Sequence, residues 1–327
     1  MKSVYVSELF AGDGVDDLFA LRKAELKEYP NGRLISLELG DKTGRIKGVL
    51  WSAVADSMKG LKIGGIYNIK GTVTTYKGEN QITVDKFESI SEFDWSDFLA
   101  RSNRSFQQLE AELEAAIASI NDPDYKGLLI EIFSNSSARK SFINGIGGKL
   151  WHHNYIGGLA EHTLAIYDIC CDIANRYKDL ERDLLLTGAI LHDIGKAESY
   201  SLNGFFDYTD SGRLLGHIVI GEAIAREAIK KIPGFPAEKA LKIRHLILSH
   251  QGSPEQSSPV PPMIPEGMAL YVADLLDSQL AAMRRIKSRE RRPGVKWSSY
   301  VNLLDRHIYF GGESDLDIDS GLDKKHE

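Results

Sequence analysis

The sequence predicts two folds in series, an all-β barrel and then an all-α bundle. Two observations give that order. Residues 1–92 break into five short runs with partial two-residue alternation, separated by turn-forming tetrapeptides. From 122 to about 290 the apolar side chains recur at three- and four-residue spacing, as in helices that bury one face. A third observation locates the chemistry: every candidate metal ligand stands at or after residue 162. The expected division is a barrel over 1–92, a helical linker over 93–121, a helical domain over 122–311 and a disordered acidic tail over 312–327.

The first part reads as strands in LFALRKAEL, RLISLEL, RIKGVLW, IYNIKGTVTTY and QITVDKF. Turns fall at Tyr29-Pro30-Asn31-Gly32, Asp41-Lys42-Thr43-Gly44 and Lys77-Gly78-Glu79-Asn80, and a short helix is expected in SAVADSMKGL after the third strand. Five strands with a helix after the third is the order of an OB-fold barrel. The segment GRLISLELGDKTGRIKGVLW resembles the OB modules that bind single-stranded nucleic acid. Such modules stack bases on aromatic rings beside basic side chains. Trp51, Tyr67 and Tyr76 are the candidate platforms, with Arg33, Lys47 and Lys70 as phosphate partners. Against this, some of these rings are needed for a barrel core. Residues 1–90 hold 13 Lys and Arg against 12 Asp and Glu, so binding must come from charges segregated to one face.

In the linker, Ser105 with Gln108 forms a capping box that opens the helix FQQLEAELEAAIASI, and Asn121-Asp122-Pro123 ends it. Helices are then expected in KGLLIEIFS, GLAEHTLAIYDICCDIANRY, RDLLLTGAILHD, LGHIVIGEAIAREAIKKI, AEKALKIRHLILSH and GMALYVADLLDSQLAAMRRI. Loops fall at Gly147-Gly148, Pro233-Gly234 and the proline-rich 254–267. The basic run Arg284, Arg285, Lys287, Arg289, Arg291 and Arg292 reads as a solvated helix end.

At 327 residues the chain is long enough for two domains, and its 43% hydrophobic and 26% charged residues are ordinary for globular proteins. The formal net charge of -6 excludes a global basic field. Its two cysteines, the adjacent Cys170 and Cys171, read as reduced core residues. No apolar run reaches the roughly 18 residues of a membrane span, and the N-terminus lacks the apolar core of a signal peptide. The expected location is the cytoplasm; the sequence is compatible with a homo-oligomer and with no membrane partner.

The helical part is organised around LLLTGAILHDIGK, residues 184–196. An imidazole beside a carboxylate at the end of a buried helix is costly unless something satisfies both, and a metal ion does so. His162, the pair His192-Asp193, and Asp274 form a four-ligand set, while His217 and His250 would extend it to a second ion with Asp193 as the bridge. His245 and His250 are five apart and diverge on a regular helix, so the helix must end near Ser249 for both to serve. His250 is the favoured ligand and His245 the alternative. His152 and His153 either line the substrate entrance or cap a loop. Lys196 and, more weakly, Arg213 are phosphate candidates, each with a solvated helix end as the alternative. Such a set suits Mn, Co, Fe, Ni or Zn better than Mg, in two ions.

The order His…His-Asp…Asp, most specifically at LLLTGAILHDIGK, resembles the HD-domain phosphohydrolases over roughly 150–280. An OB module before an HD domain resembles the YhaM-type 3′-to-5′ exoribonucleases over about 1–310. The segments that carry this are LRKAELKEYPNGRLISLELGDKTGRIKGVLW, HHNYIGGLAEH, AILHDIGK, and RLLGHI with IRHLILSHQG. The resemblance implies Mn-dependent removal of nucleotides from 3′ ends of single-stranded RNA or DNA, with Asp193 central to catalysis. Gln251 stands where some relatives are expected to carry another His. The alternatives are an HD nucleotide phosphohydrolase or cyclic-nucleotide phosphodiesterase, which needs no strand-binding barrel, and a non-catalytic nucleic-acid-binding protein, which needs no intact ligand set. QGSPEQ after His250 lacks the Gly-Tyr-Pro of cyclic-di-nucleotide phosphodiesterases.

Overall fold

The computed structural model describes residues 2–29, 32–51, 60–148, 153–202 and 205–311. Five strands, β1 (Gly14–Tyr29), β2 (Gly32–Gly40), β3 (Arg45–Trp51), β4 (Ile66–Tyr76) and β5 (Glu79–Ile90), close a barrel in the order β1-β2-β3-β5-β4. Only β3 and β5 pair in parallel, which closes the meander on itself. The interior is filled by Phe19, Leu21, Ile35, Leu37, Leu39, Ile69, Val73 and Ile82. The helix expected after β3, the Pro30-Asn31 turn centre, His152 and the acidic tail lie outside the described residues.

The helical part contains α1 (Phe106–Ala118), α2 (Pro123–Ser134), α3 (Ser136–Asn144), α4 (Gly158–Arg176), α5 (Arg182–Leu191), α6 (Lys196–Ser199), α7 (Asp210–Leu214), α8 (His217–Lys230), α9 (Ala237–Ser249) and α10 (Pro265–Glu290). The expected capping box opens α1: Gln108 N–H donates to Ser105 Oγ and Ser105 N–H to Gln108 Oε1. Asp122 then caps α2 through the amides of Asp124 and Tyr125. Leu109, Leu113 and Ile117 of α1 pack in one core with Leu128, Phe142, Leu164, Leu186, Ile190 and Leu246. A two-stranded hairpin, β6 (Tyr200–Leu202) and β7 (Phe206–Tyr208), interrupts the helices.

The barrel and the helices are stitched together through the linker. Tyr5 Oη donates to Asp97, and the Lys42 amide donates to the Asp97 carbonyl. The Ile156 amide donates to Ala100, and the Ser102 amide to Ile156. The Arg22 guanidinium of β1 lies 4.6 Å from the Phe205 ring of the hairpin. Among the described residues no helix is long and apolar enough to cross a membrane.

Candidate metal centre

Five helices deliver the site, and each does so at an end or through its buried face. His162 projects from the second turn of α4. That helix starts tightly against the preceding loop: Gly157 takes φ +87°, and a Cβ on Gly158 would overlap the His153 carbonyl. α5 is buried from Leu184 through Leu191, so its C-terminal end is buried as well. His192 caps it, and Asp193 begins the tight turn that the Ile194 and Lys196 amides close. Gly195 is needed for closeness, since a Cβ there would overlap the His217 carbonyl at the start of α8. α9 ends at Ser249, leaving His250 as its cap, so the chain turns His250 inward as the sequence required.

These residues converge on Asp193, which is 1% exposed. Its Oδ2 lies 3.2 Å from His192 Nε2 and 3.4 Å from His162 Nε2. Its Oδ1 lies 3.4 Å from His217 Nε2 and 3.5 Å from His250 Nε2. One carboxylate therefore offers a different oxygen to each of two ligand groups. Asp274 Oδ1 joins the first group, 3.3 Å from His162 Nε2.

The tautomers favour a cation over a set of hydrogen bonds. His192 Nδ1 lies 2.8 Å from the Ala189 carbonyl and His250 Nδ1 2.7 Å from the Ile247 carbonyl. His162 Nδ1 lies 2.7 Å from Asp277 Oδ2. Each of these partners only accepts, so each Nδ1 carries a proton and each Nε2 is turned toward the cluster, where on His162 a bound cation would displace the second proton that the carboxylates otherwise hold. The buried Nε2 atoms of His192 and His250 and the buried Oδ1 of Asp193 have no hydrogen-bond partner. Lone pairs facing lone pairs in a dry site are unfavourable without a cation, and the donor set of imidazole nitrogens and carboxylates fits a divalent transition ion.

The electrostatics agree. Burial opposes the charge on Asp193, yet Lys196 and His192 hold its carboxyl well below the usual range. Burial likewise opposes charge on Asp274 and Asp277, and their histidine neighbours pull both below it. Burial would also lower His162, but Asp193, Asp274 and Asp277 carry its imidazole well above the ordinary value. His217 is pushed down to about 3, chiefly by burial, and so stays a neutral donor near neutral pH.

Two assignments from the sequence need correction, and a third is redefined. Tyr67 is 2% exposed and belongs to the barrel core, where its hydroxyl accepts from the Lys62 amide at 2.6 Å; it cannot stack a base. His245 stands outside the cluster and accepts the Met263 amide at 3.0 Å. Lys196 is neither a solvated end nor an open phosphate partner. It is buried, and its Nζ is shared between Asp193 Oδ2 at 2.6 Å and the Gly147 carbonyl at 2.5 Å. Trp51 and Tyr76 are both 58% exposed, as stacking requires. Arg33, Lys47, Lys70 and Arg213 are solvent-facing and paired with Glu28, Glu79, Asp16 and Asp207. Such exposed pairs are weak and can be exchanged for phosphate. Gln251 places its amide nitrogen 3.2 Å from His217 Nε2.

Asp277 was not singled out from the sequence. Its Oδ2 holds both His162 Nδ1 and, at 2.9 Å, His153 Nε2, so His153 braces the site. Its spacing was the available signal: Asp277 follows Asp274 by one helical step of three, on the same face.

The HD domain model matches residues 159–279 and the OB-fold nucleic acid binding domain model residues 21–90. The chain is 30% identical over 302 residues to the 3′-5′ exoribonuclease YhaM of Bacillus velezensis, covering 91% of this chain and 95% of that protein. The chain belongs to the YhaM family. Two solved domains of replication protein A from Methanococcus maripaludis also match part of the chain, at 33% and 28% identity. They cover 27% and 28% of this chain and 96% and 98% of theirs, each with a TM-score of 0.24. At 91% of the chain, the YhaM match takes in the linker and the whole of the Asp193 cluster.

Proposed function

We propose that the chain is a metal-dependent 3′-to-5′ exoribonuclease that hydrolyses phosphodiester bonds of single-stranded RNA, in the manner named for its YhaM relative. The observation that carries this is the Asp193 carboxylate, buried with one oxygen toward each of two histidine groups, in a chain that also holds an OB barrel. His162, His192, Asp193 and Asp274 would hold one ion; Asp193, His217 and His250 would hold a second. We assign manganese, because the imidazole content disfavours magnesium. Bound there, the ions supply a water of lowered pKa and neutralise charge on the phosphoryl oxygens.

The chain's own residues do the rest. Lys196 fixes Asp193 by its 2.6 Å ion pair and offsets part of its charge. Asp277 locks the His162 ring and tautomer. The barrel grips the strand by stacking on Trp51 and Tyr76, with Arg33, Lys47 and Lys70 exchanging their carboxylate partners for phosphates. Arg213 in α7, four residues before His217 and paired with Asp207, is a further phosphate contact in this reading. The reduced, buried Cys170 suits a cytoplasmic enzyme. The test is hydrolysis of a labelled single-stranded oligonucleotide by purified protein in Mn, in Mg and in chelator. Activity restricted to Mn or a similar ion supports the reading, and activity in chelator rejects it.

A further inference from the structure

Between the barrel and the helices runs a cleft of about 1230 Å³. One wall is the β2–β3 turn, residues Asp41 to Arg45, with Arg22; the other is the C-terminal half of α10. Its floor passes His153 and Tyr155, and His153 is bonded to Asp277 of the metal centre. The cleft therefore opens beside the candidate catalytic site at one end.

Its lining charges are strongly unequal. Arg22, Lys42, Arg45, Arg284, Arg285 and Arg289 face Asp41 and Glu161, six cations against two anions. This occurs in a chain whose net charge is -6. The cations come from both domains and repel one another across the gap. Burial first, then the neighbouring charges of Arg289 and Arg45, lowers the Arg285 guanidinium. Burial and then Arg45 do the same to Arg22, which Glu38 and Phe205 hold in place. Like charges gathered in a partly desolvated groove are unfavourable in the absence of an anion.

The helix spacing gives the groove a direction. Asp277, Ala281, Arg284 and Ser288 follow one another at steps of four, three and four, so they share one face of α10. At about 1.5 Å rise per residue, Arg284 lies roughly 10 Å and Arg289 roughly 18 Å beyond Asp277 along the helix. On the opposite wall, Arg45, Lys47 and the Trp51 platform are all exposed along β3, which leads away from the cleft.

We infer that this interdomain cleft is the track for the phosphodiester backbone of the substrate. Arg45 and Arg284 with Arg289 grip it from opposite walls between the β3 platform and the metal centre. The inference rests on the nuclease reading and adds its path and its residues. The basic run at the end of α10 is thus divided: Arg284, Arg285 and Arg289 line the cleft, while Lys287 and Arg292, exposed on the same helix end or just beyond it, do not.

The test measures binding without turnover, in chelator, by anisotropy of a fluorescein-labelled unstructured single-stranded RNA across a salt series. Each phosphate contact contributes about 0.7 to the slope of log K against log salt. Arg284→Ala with Arg289→Ala should therefore flatten the slope by about 1.4 and weaken binding about 20-fold at roughly 0.1 M salt. Arg45→Ala on the barrel wall should flatten it by about 0.7. Lys287→Ala with Arg292→Ala should leave it unchanged. Hydrolysis of bis(p-nitrophenyl) phosphate should stay at the wild-type rate in the Lys287/Arg292 variant, and circular dichroism should show every variant folded. An unchanged slope in the Arg284/Arg289 and Arg45 variants would overturn the track, as would an equal loss from Lys287→Ala with Arg292→Ala. Because binding is read in chelator, these outcomes are independent of whether the wild type proves to be a nuclease.

Discussion

Replacing Asp277 with Asn tests how the protein prepares its metal centre. The substitution keeps the side-chain shape but removes the charge that faces two imidazoles. Asp277 Oδ2 lies 2.7 Å from His162 Nδ1 and 2.9 Å from His153 Nε2. The neutral amide can still accept one of these protons, yet it no longer raises the basicity of His162 or fixes its tautomer. Losing such a support typically weakens metal affinity about 10- to 100-fold, or roughly 1.4–2.7 kcal/mol. The assay is titration of metal-stripped protein with Mn, read both as binding heat and as oligonucleotide hydrolysis. Half-saturation should move up by that factor, and kcat at saturating Mn should return to within a few fold of wild type. His153→Ala should shift it less, because His162 keeps its carboxylate. A half-saturating Mn concentration that does not move would refute the reasoning. A loss of kcat that Mn cannot restore would instead place Asp277 on the substrate.

Other substitutions separate the parts of the molecule. Asp193→Asn should abolish hydrolysis with helical circular dichroism unchanged; wild-type turnover in Mn would remove it from the centre. Gly195→Ala should destabilise the protein by about 1–3 kcal/mol or more, because the new methyl meets the His217 backbone rather than a movable side chain. Chemical denaturation reads that loss, and a stability equal to wild type would contradict the packing. Trp51→Ala with Tyr76→Ala should raise KM for long single strands roughly 30-fold or more at about 1–3 kcal/mol per stacked base, and should leave dinucleotides almost unaffected. Tyr67→Phe should leave strand binding intact and lower stability by about 1–3 kcal/mol, since the hydroxyl both accepts from the Lys62 amide and donates to the Gly60 carbonyl.

The periodicity of the chain carried most of this architecture. All five strand runs and every helix of ten residues or more appear within a few residues of where alternation and three-to-four spacing put them, while the nine-residue α3 was not expected. Tyr67 shows where that reading fails. Adjacent Ile66 and Tyr67 are both buried, because Phe98 of the linker covers Ile66 on the outer surface while Tyr67 fills the interior. Alternation in one strand cannot reveal a cover supplied by a distant segment. The β6–β7 hairpin was illegible because three-residue strands are too short to show a period. At the site, His250 was separable from His245 only through the end of α9 at Ser249. Lys196 was misjudged because a lysine after a helix end ordinarily reaches solvent, whereas here Gly147 and Asp193 enclose it. The cleft arginines read as a solvated run because their partner wall lies in the other domain, more than 200 residues away in sequence.

The most direct measurement of the central claim is the product pattern from a 5′-labelled single-stranded RNA incubated with metal-stripped protein, before and after Mn is restored. The expected result is no cleavage without the ion, then a ladder of labelled fragments shortening one nucleotide at a time from the 3′ end. Cleavage in chelator would contradict the buried His–Asp centre as the source of activity, and immediate release of the labelled 5′ nucleotide would contradict the assigned direction.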